Sequence, residues 1–196
     1  MRARVNKNLI KIADKKVTTI FGTGRTNRGE QAYAIAEELG RLLAEAGFTV
    51  ANGGYGGTML AAAKGASQAG GKVIGVTCSA FKNSKCNQYV AREVVTRSLD
   101  ERLDKLIAIG QAYVVLPGGT GTLLELAKVW ELKNKGFLDA GKPIILVGDF
   151  WKPLIDLVAR DDPDCKRYIR PADNPQQAVV LLKKYLSRPE PGQERF

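Results

Sequence analysis

The sequence predicts an α/β domain with a mostly parallel sheet. Short apolar runs rich in β-branched residues alternate along the chain with longer segments whose apolar residues recur every three or four positions. Glycine-rich loops follow several of the apolar runs and open a helical segment. Strands that alternate with helices in this way are typical of parallel sheets, whose ligands bind beyond the carboxyl ends of the strands.

Each element has its own signal. Residues 98–101, with the sequence SLDE, form a capping box and start a helix at Ser98, whose predicted buried stripe is Leu99, Leu103, Leu106 and Ile107. The continuous apolar run 112–116 is typical of a strand covered on both faces. Strands are predicted at 17–21, 48–51, 72–76, 93–96, 112–116 and 143–147. Helices are predicted at 28–46, 58–69, from Ser98, from the end of the 117–122 loop to about Lys135, and at 150–160 and 175–186.

Length and composition indicate one globular domain. The chain has 196 residues, of which 44% are hydrophobic and 26% are charged. We assign residues 1–16 to a basic N-terminal arm, 17–186 to a single domain and 187–196 to a polar tail. The apolar runs are too short to cross a bilayer and the N-terminus lacks the apolar stretch of a secretory signal, so we expect a cytoplasmic protein.

Basic residues are in excess, and they concentrate near the start of the chain. The formal net charge is +10, and residues 1–28 contain eight basic residues against Asp14 alone. Such a segment attracts nucleic acid or a phosphorylated ligand; alternatively it is a solvated, partly disordered arm. No aromatic residue precedes Phe21, so base stacking is not indicated there.

Histidine is absent from the sequence, and cysteine is scarce. The lack of histidine excludes Ser-His-Asp and Cys-His catalysis, together with zinc sites that need imidazole. Cys78, Cys86 and Cys165 are widely spaced and odd in number, which argues against a disulfide framework and against a thiolate metal site. We expect reduced, partly buried thiols.

Two glycine-rich loops are the main candidates for a ligand site. Residues 52–57 (NGGYGG) and 117–122 (PGGTGT) each follow an apolar strand and open a helix. Backbone N–H groups at a helix start, with the positive end of the helix dipole, suit a phosphate, and Thr58, Thr120 and Thr122 add hydroxyl donors. The alternative is two tight turns whose glycines serve packing.

A third loop, Gly22-Thr23-Gly24-Arg25, follows the first strand. It is superficially similar to a dinucleotide-binding fingerprint but lacks the third glycine, and the second strand ends in Asn52 instead of an acidic ribose ligand, so NAD binding is weakly supported. No Lys-Ser/Thr pair of a nucleoside triphosphatase loop is present. The candidate nucleotide-binding residues are Gly22, Thr23, Gly24, Gly53, Gly54, Gly56, Gly57, Thr58, Gly118, Gly119, Thr120, Gly121 and Thr122.

Two charged residues lie near the 117–122 loop and are candidates for chemistry. Glu125 follows Thr122 by three positions, on the same helical face as the end of the loop, where a carboxylate can stabilise a cation or orient water. Arg102, in the preceding helix, is its candidate counter-charge. The alternatives are an acid that complements the helix dipole and a surface ion pair of Arg102 with Asp100 or Glu101.

The segment 117–125, PGGTGTLLE, resembles the PGGxGTxxE signature of the "lonely guy" family. Members of that family are cytokinin-type nucleoside 5′-monophosphate phosphoribohydrolases, long mislabelled as lysine decarboxylases. The resemblance runs from about Val17 to Leu157. It includes the first loop, the small-residue helix 58–69 with the following GGKVIGV segment, and the spacing from Arg102 to the signature.

The resemblance implies a Rossmann-like, doubly wound fold with helices on both faces, and at least a homodimer with the site near the interface. The family's essential arginine and glutamate fall on Arg102 and Glu125, which are therefore the predicted catalytic residues, and its phosphate loop falls on residues 118–122. It implies no cofactor and no metal, and a pyridoxal site has no independent support. Neither a membrane nor a nucleic acid is an expected partner.

The sequence departs from the family pattern at three places. The second loop reads NGGYGGTM where the family has GGGxxGLMG, the first reads GTGR in place of GSSxG, and Leu103 stands where a lysine commonly follows the arginine. These departures bear on base specificity and on activity. They are similar to a sister group, the molybdenum cofactor carrier proteins, which share the fold and bind a phosphorylated pterin without turning it over.

Three functional hypotheses follow. The first is hydrolysis of the N-glycosidic bond of AMP or N6-modified AMP, with Glu125 facing the anomeric carbon and the 117–122 loop holding the 5′-phosphate. The second is a non-catalytic carrier for molybdenum cofactor or another phosphorylated ligand, which keeps the same loops. The third is RNA binding through the basic arm, with an affinity that falls steeply with salt.

Overall fold

The computed structural model describes residues 16–82 and 85–187, so the predicted arm and tail lie, except for Lys16 and Ser187, outside the described residues. The strands are β1 (Val17–Phe21), β2 (Thr49–Asn52), β3 (Val73–Cys78), β4 (Arg92–Thr96), β5 (Ala112–Val115), β6 (Ile144–Val147) and β7 (Ile169–Ala172). The helices are α1 (Gln31–Glu45), α2 (Thr58–Gln68), α3 (Leu99–Ile109), α4 (Thr120–Asn134), α5 (Lys152–Val158), a 3₁₀ helix (Pro163–Tyr168) and α6 (Pro175–Leu186).

All seven strands form one parallel sheet in the order β4-β3-β2-β1-β5-β6-β7. Strands β2, β3 and β4 follow one another from β1 toward one edge of the sheet. The chain then returns through α3 and places β5 on the other side of β1, and β6 and β7 follow toward the opposite edge. Because crossovers between parallel strands are right-handed, this reversal places helices on opposite faces of the sheet. The predicted doubly wound α/β fold is therefore confirmed.

Two large apolar clusters, one on each face of the sheet, form most of the core, and a third, small cluster lies among strands β1, β2 and β3. On one face α1, α2 and α6 pack around Leu39, Val50 and Leu182. On the other face α3, α4, α5 and the 3₁₀ helix pack around Leu106 and Leu126. Burial of both faces explains why β5 and β6 are apolar at every position instead of alternating.

Helices α1 and α2 approach each other closely because glycines face the partner backbone. A Cβ atom added at Gly65 would lie 1.9 Å from the carbonyl oxygen of Glu37, and one at Gly40 would lie 2.0 Å from that of Ala62. No side chain fits at either position without moving a helix. The small-residue composition of the 58–69 segment is thus a packing requirement.

A buried lysine closes the end of α4. The Lys133 ammonium donates to the carbonyl oxygens of Ala140 at 2.9 Å, of Asp139 at 3.4 Å and of Lys142. These three acceptors belong to the segment that leads into β6. Lys133 is only 4% exposed, and its stem covers apolar surface while its charged end satisfies carbonyl groups that helices and strands leave free.

The structure corrects two expectations about individual elements. Leu99 is 42% exposed and does not belong to the buried stripe of α3. It is the first residue of the helix and lies just beyond the carboxyl end of β4. Arg102 occupies the buried position one turn later. Strand β7 was not predicted, since its four residues include Pro171, which cannot donate to a ladder. As the edge strand, β7 pairs only with β6 and accommodates the proline.

The start of α3 agrees with the sequence. The Ser98 hydroxyl accepts a hydrogen bond from the amide of Glu101 at 3.2 Å, while the Glu101 carboxylate accepts from the amide of Arg97 at 2.8 Å. The reciprocal pattern reaches one residue further back than the usual capping box. In the described part of the chain, no helix combines the length and apolar character needed to span a membrane.

Candidate functional site

The candidate site lies at the carboxyl edge of the sheet, where the strand order reverses between β1 and β5. The loops after β1, β2 and β5, which contain all three predicted glycine-rich segments, leave the sheet at this edge. In open α/β sheets this switch point is the usual ligand crevice, because neighbouring loops diverge there. The fold therefore gathers the predicted loops into one region.

Arg102 and Glu125, 23 positions apart in the chain, meet at this edge. Arg102 Nη1 lies 3.4 Å from Glu125 Oε1, and Arg102 Nε donates to the carbonyl oxygen of Val76 at 2.9 Å. The side chains are 8% and 11% exposed. The arginine thus belongs to a buried ion pair, and the alternative of a surface pair with Asp100 or Glu101 is not what the structure shows.

The electrostatics of the pair are dominated by burial. Removal from water raises the pKa of Glu125 from its ordinary value near 4.5 to about 7, although the Arg102 charge and hydrogen bond favour the ionised form. The 3.4 Å contact is too long to offset the loss of solvation fully. A carboxyl group poised near neutrality can hold or release a proton under physiological conditions.

The amino end of α4 presents free backbone donors. In the part of the chain that the structure describes, the amides of Thr120, Gly121 and Thr122 donate to no protein acceptor, and the first bonded amide of this turn is Leu123, which donates to Gly119. The residues from 119 to 121 are exposed. Three unpaired N–H groups at the positive end of a 15-residue helix suit an anion.

Gly118 gives this turn its shape. A Cβ atom at Gly118 would lie 2.1 Å from the Thr122 hydroxyl oxygen, so glycine is required for Thr122 to fold back against the loop. Thr122 is buried, and Glu125 lies one helical turn further along the same face. The predicted phosphate loop and the predicted acid are therefore neighbours.

The loops after β1 and β2 bind each other. The Thr58 amide and hydroxyl both donate to the Thr23 carbonyl oxygen at 2.9 Å, and a Cβ atom at Gly22 would lie 2.5 Å from the Thr58 hydroxyl oxygen. Gly57 has a φ of +64° and packs against Gly24. Both donors of Thr58 are thus used within the protein, so the 117–122 loop is the better candidate for an anion.

Asn52 shapes the second loop from within. Its side-chain amide donates to the Met59 carbonyl oxygen at 3.0 Å, and its side-chain oxygen accepts from the Gly54 amide at 2.8 Å. Asn52 is fully buried, so it fixes the loop and is not displayed to a ligand. Gly56, by contrast, is exposed.

Gly53 has a role that the sequence did not reveal. A Cβ atom at this position would lie 1.8 Å from Arg102 Nη2 and 2.6 Å from Met59 Sδ. The guanidinium group occupies the volume that any side chain would need. Tyr55 and Phe81, which flank Arg102, were also missed, because nothing in their spacing relates them to residue 102.

Two other features bear on ligands. In residues 16–82 and 85–187, no group of three or more Cys, Asp or Glu side chains could hold a metal ion. A cavity of about 570 Å³ opens at the carboxyl ends of β6 and β7, and it shares no residue with the predicted site. Lys152 and Lys166 at its rim both pair with Asp156, and none of the acidic side chains that line the cavity is buried.

Comparisons with known proteins place this architecture in a family. A family model described as the SLOG cluster4 family matches residues 15–179, and the chain belongs to that family. The predicted resemblance to phosphoribohydrolases of the lonely guy type and to molybdenum cofactor carriers is confirmed by the relatives that follow.

One relative is the cytokinin riboside 5′-monophosphate phosphoribohydrolase of Rhodococcoides fascians, 28% identical over 86% of this chain and 84% of that protein. Among solved structures, the molybdenum cofactor binding protein of Rippkaea orientalis superposes with a TM-score of 0.73 at 25% identity, covering 89% of this chain and 99% of the other. The molybdenum cofactor carrier protein of Chlamydomonas reinhardtii gives 0.72 at 25% identity, covering 89% and 100%.

Proposed function

We propose that the protein hydrolyses the N-glycosidic bond of a nucleoside 5′-monophosphate, AMP or N6-modified AMP, and releases the free base and ribose 5-phosphate. The observation that carries this proposal is the buried Arg102–Glu125 pair beside the free amides of the α4 start. Phosphoribohydrolases of similar sequence support the reaction class.

The α4 start would bind the 5′-phosphate. The amides of residues 120–122 and the Thr120 and Thr122 hydroxyls offer donors to phosphate oxygens, and the helix dipole favours the negative charge. Glu125 follows Thr122 by three residues, a rise of about 4.5 Å along the helix. A ribose held by its phosphate at the helix end can therefore extend toward the carboxylate, which would make a bare nucleoside a poor substrate.

Glu125 would act on the ribose. Breaking the N-glycosidic bond develops positive charge at the anomeric carbon, as in glycoside hydrolysis, and an ionised carboxylate stabilises that charge more in the transition state than in the substrate. Burial strengthens the effect, because little water screens the carboxylate. Since burial raises the pKa of Glu125 to about 7, kcat/KM should fall on the acid side with a midpoint near pH 7.

Arg102 would keep Glu125 partly ionised and contribute to substrate binding. Its Nη1 faces the carboxylate and its Nε is held by the Val76 carbonyl, whereas Nη2 donates to no acceptor in residues 16–82 or 85–187. That nitrogen has two N–H groups to offer a ligand. Removing the arginine would leave a buried carboxyl group without its counter-charge, which favours the protonated, inactive form.

The test is release of adenine from AMP and N6-modified AMP by the pure protein, measured by chromatography, with adenosine as the phosphate-free comparison. We expect hydrolysis of the monophosphates, little hydrolysis of adenosine, and a loss of about 100-fold or more in Glu125→Gln. Glu131→Gln, an exposed position on the same helix, is the matched control and should retain activity. Absence of base release from every nucleotide tested would contradict the proposal.

A carrier function is the second candidate. Two molybdenum cofactor proteins superpose over nearly their whole length, and Leu103 departs from the hydrolase pattern. Such a carrier would use the α4 start for the phosphate of the cofactor, and Glu125 would not be needed for turnover. Pterin fluorescence or mass spectrometry of the denatured protein would detect a retained ligand; a bound pterin together with no nucleotide hydrolysis favours the carrier.

We also propose that the protein forms a homodimer or a higher homo-oligomer near this site. Leu123 and Leu124, in the first turns of α4, are 36% and 41% exposed next to the free amides. Adjacent exposed apolar side chains beside the candidate loop offer an apolar surface for a contact between subunits. Light scattering of the wild type and of Leu124→Glu tests this: a wild-type dimer should become a monomer, and a wild-type monomer would contradict it.

A further inference from the structure

The Arg102 guanidinium is flanked by two aromatic rings outside the predicted catalytic set. Its Cζ lies 5.6 Å from the ring centroid of Tyr55 and 5.8 Å from that of Phe81. The two rings are 6.0 Å apart and tilted by 44°, so they touch each other around the cation. A guanidinium within about 6 Å of a ring face is attracted by the ring quadrupole.

Tyr55 is itself fixed at its far end. Its hydroxyl accepts a hydrogen bond from the Cys78 amide at 2.6 Å and donates to the Cys78 carbonyl oxygen at 3.3 Å. Cys78 ends strand β3, and Val76 on the same strand accepts from Arg102 Nε. The Tyr55 ring and the Arg102 guanidinium are therefore both hydrogen-bonded to strand β3. Asn87 holds the backbone of the Tyr55 loop in place by donating to the Tyr55 carbonyl oxygen.

The direct contact between Arg102 and Glu125 is loose by comparison. A single hydrogen bond joins the two side chains, and at 3.4 Å it is longer than an ordinary charge-assisted hydrogen bond. A single long contact does not fix the plane of a guanidinium group. The orientation must come from the Val76 carbonyl, from the space above Gly53 and from the two rings.

We propose that Tyr55 is a positioning residue for Arg102, with Phe81 as its partner, and that this aromatic pair (Tyr55 and Phe81) sets the distance between the guanidinium and the Glu125 carboxylate. The inference rests on the proposed function, because the Arg102–Glu125 pair that the rings position is the pair proposed to act on the ribose. The rings act through the arginine and need not touch the ligand. A direct stacking role on a base is the competing use of the same rings.

The experiment compares Tyr55→Leu, which removes the ring, with Tyr55→Phe, which keeps the ring and loses both bonds to Cys78. Phe81→Leu is a second, independent variant in case Tyr55→Leu does not fold, as judged by circular dichroism. Tyr89→Phe is the control for loss of a hydroxyl, since the Tyr89 hydroxyl makes no hydrogen bond within the described residues. The readout is a ¹³C NMR titration of the Glu125 carboxyl carbon in the ligand-free protein, assigned by its absence in Glu125→Gln.

We expect the titration midpoint to rise by roughly 0.5–1 pH unit in Tyr55→Leu and Phe81→Leu, because a displaced arginine favours the ionised carboxylate less. Tyr55→Phe should move it less, and Tyr89→Phe should leave it unchanged. In the hydrolysis assay the acid limb should shift by the same amount, with kcat reduced about 10-fold and KM within about twofold.

An unchanged midpoint in both folded leucine variants overturns the proposal. A raised KM with an unchanged midpoint also overturns it, and assigns the rings to base stacking instead. If the wild type hydrolyses no nucleotide, the proposed function fails, while the titration still decides whether the aromatic pair positions Arg102.

Discussion

Gly53 offers the sharpest perturbation of the site, because a single methyl group there competes directly with Arg102. The added Cβ of Gly53→Ala would lie 1.8 Å from Arg102 Nη2, whereas ordinary contacts begin near 3.4 Å, so the guanidinium must retreat by roughly 1.6 Å. Met59 Sδ, 2.6 Å from the same Cβ, would have to move as well. The φ angle of Gly53 is not in the left-handed region, so backbone strain does not contribute.

Displacement of Arg102 weakens the attraction that favours the ionised form of Glu125. A retreat of that size directed away from the carboxylate would lengthen the Nη1–Oε1 distance from 3.4 Å to about 5 Å. With an effective dielectric constant of about 20, the attraction weakens by roughly 1.6 kcal/mol, which corresponds to about one pKa unit. We therefore expect the Glu125 pKa to rise by about one unit above its wild-type value, and hydrolysis at pH 7 to fall about 10- to 100-fold.

The assay is the carboxyl-carbon titration together with thermal unfolding and base release. Gly56→Ala is the matched control for the titration and for stability, because its Cβ would meet nothing closer than the Gly24 carbonyl oxygen at 3.8 Å. A Glu125 midpoint in Gly53→Ala equal to that in Gly56→Ala, with normal base release, would show that Arg102 is not held where the structure has it.

Three further predictions concern stability. Gly65→Ala should cost about 2 kcal/mol or more of unfolding free energy in urea titrations, because its Cβ meets helix backbone at 1.9 Å, while exposed Ser67→Ala on the same helix should be nearly neutral. Lys133→Met should cost about 2–4 kcal/mol because buried carbonyl groups lose their donor, whereas Lys135→Met, from an exposed ion pair, should cost less than about 0.5 kcal/mol; equal costs would contradict this. Between pH 4.5 and about 7 the folded state keeps a proton on Glu125 that the unfolded chain has released. The unfolding free energy of the wild type, measured relative to Glu125→Gln, should therefore fall by roughly 3 kcal/mol as pH rises through that range. A difference between the two proteins that does not change with pH would refute the raised pKa.

Much of the fold could be predicted from local signals. Apolar runs predicted six of the seven strands, and Ser98 predicted the exact start of α3. Both signals are local, because strand burial and helix capping depend on residues that are adjacent in the sequence. Strand β7 could not be predicted, since Pro171 is tolerated only because the strand is at the edge of the sheet. The prediction that Leu99 is buried was wrong, because the periodicity of apolar residues does not show where the sheet ends.

The candidate site could be predicted only in part. A glycine-rich loop followed by Glu125 is a local pattern, and the family resemblance made Arg102 a second predicted site residue. The contact between the two side chains depends on the return of the chain through α3 to place β5 beside β1. The space above Gly53 and the rings of Tyr55 and Phe81 are consequences of tertiary packing, for which the sequence has no local signal.

The most direct test of the proposed function is a crystal structure of Glu125→Gln with bound AMP, since this variant should bind without turnover. The proposed function predicts the phosphate within hydrogen-bond distance of the amides of residues 120–122, with the anomeric carbon facing residue 125. A phosphate bound at the loops after β1 and β2, or a ribose directed away from residue 125, would contradict it.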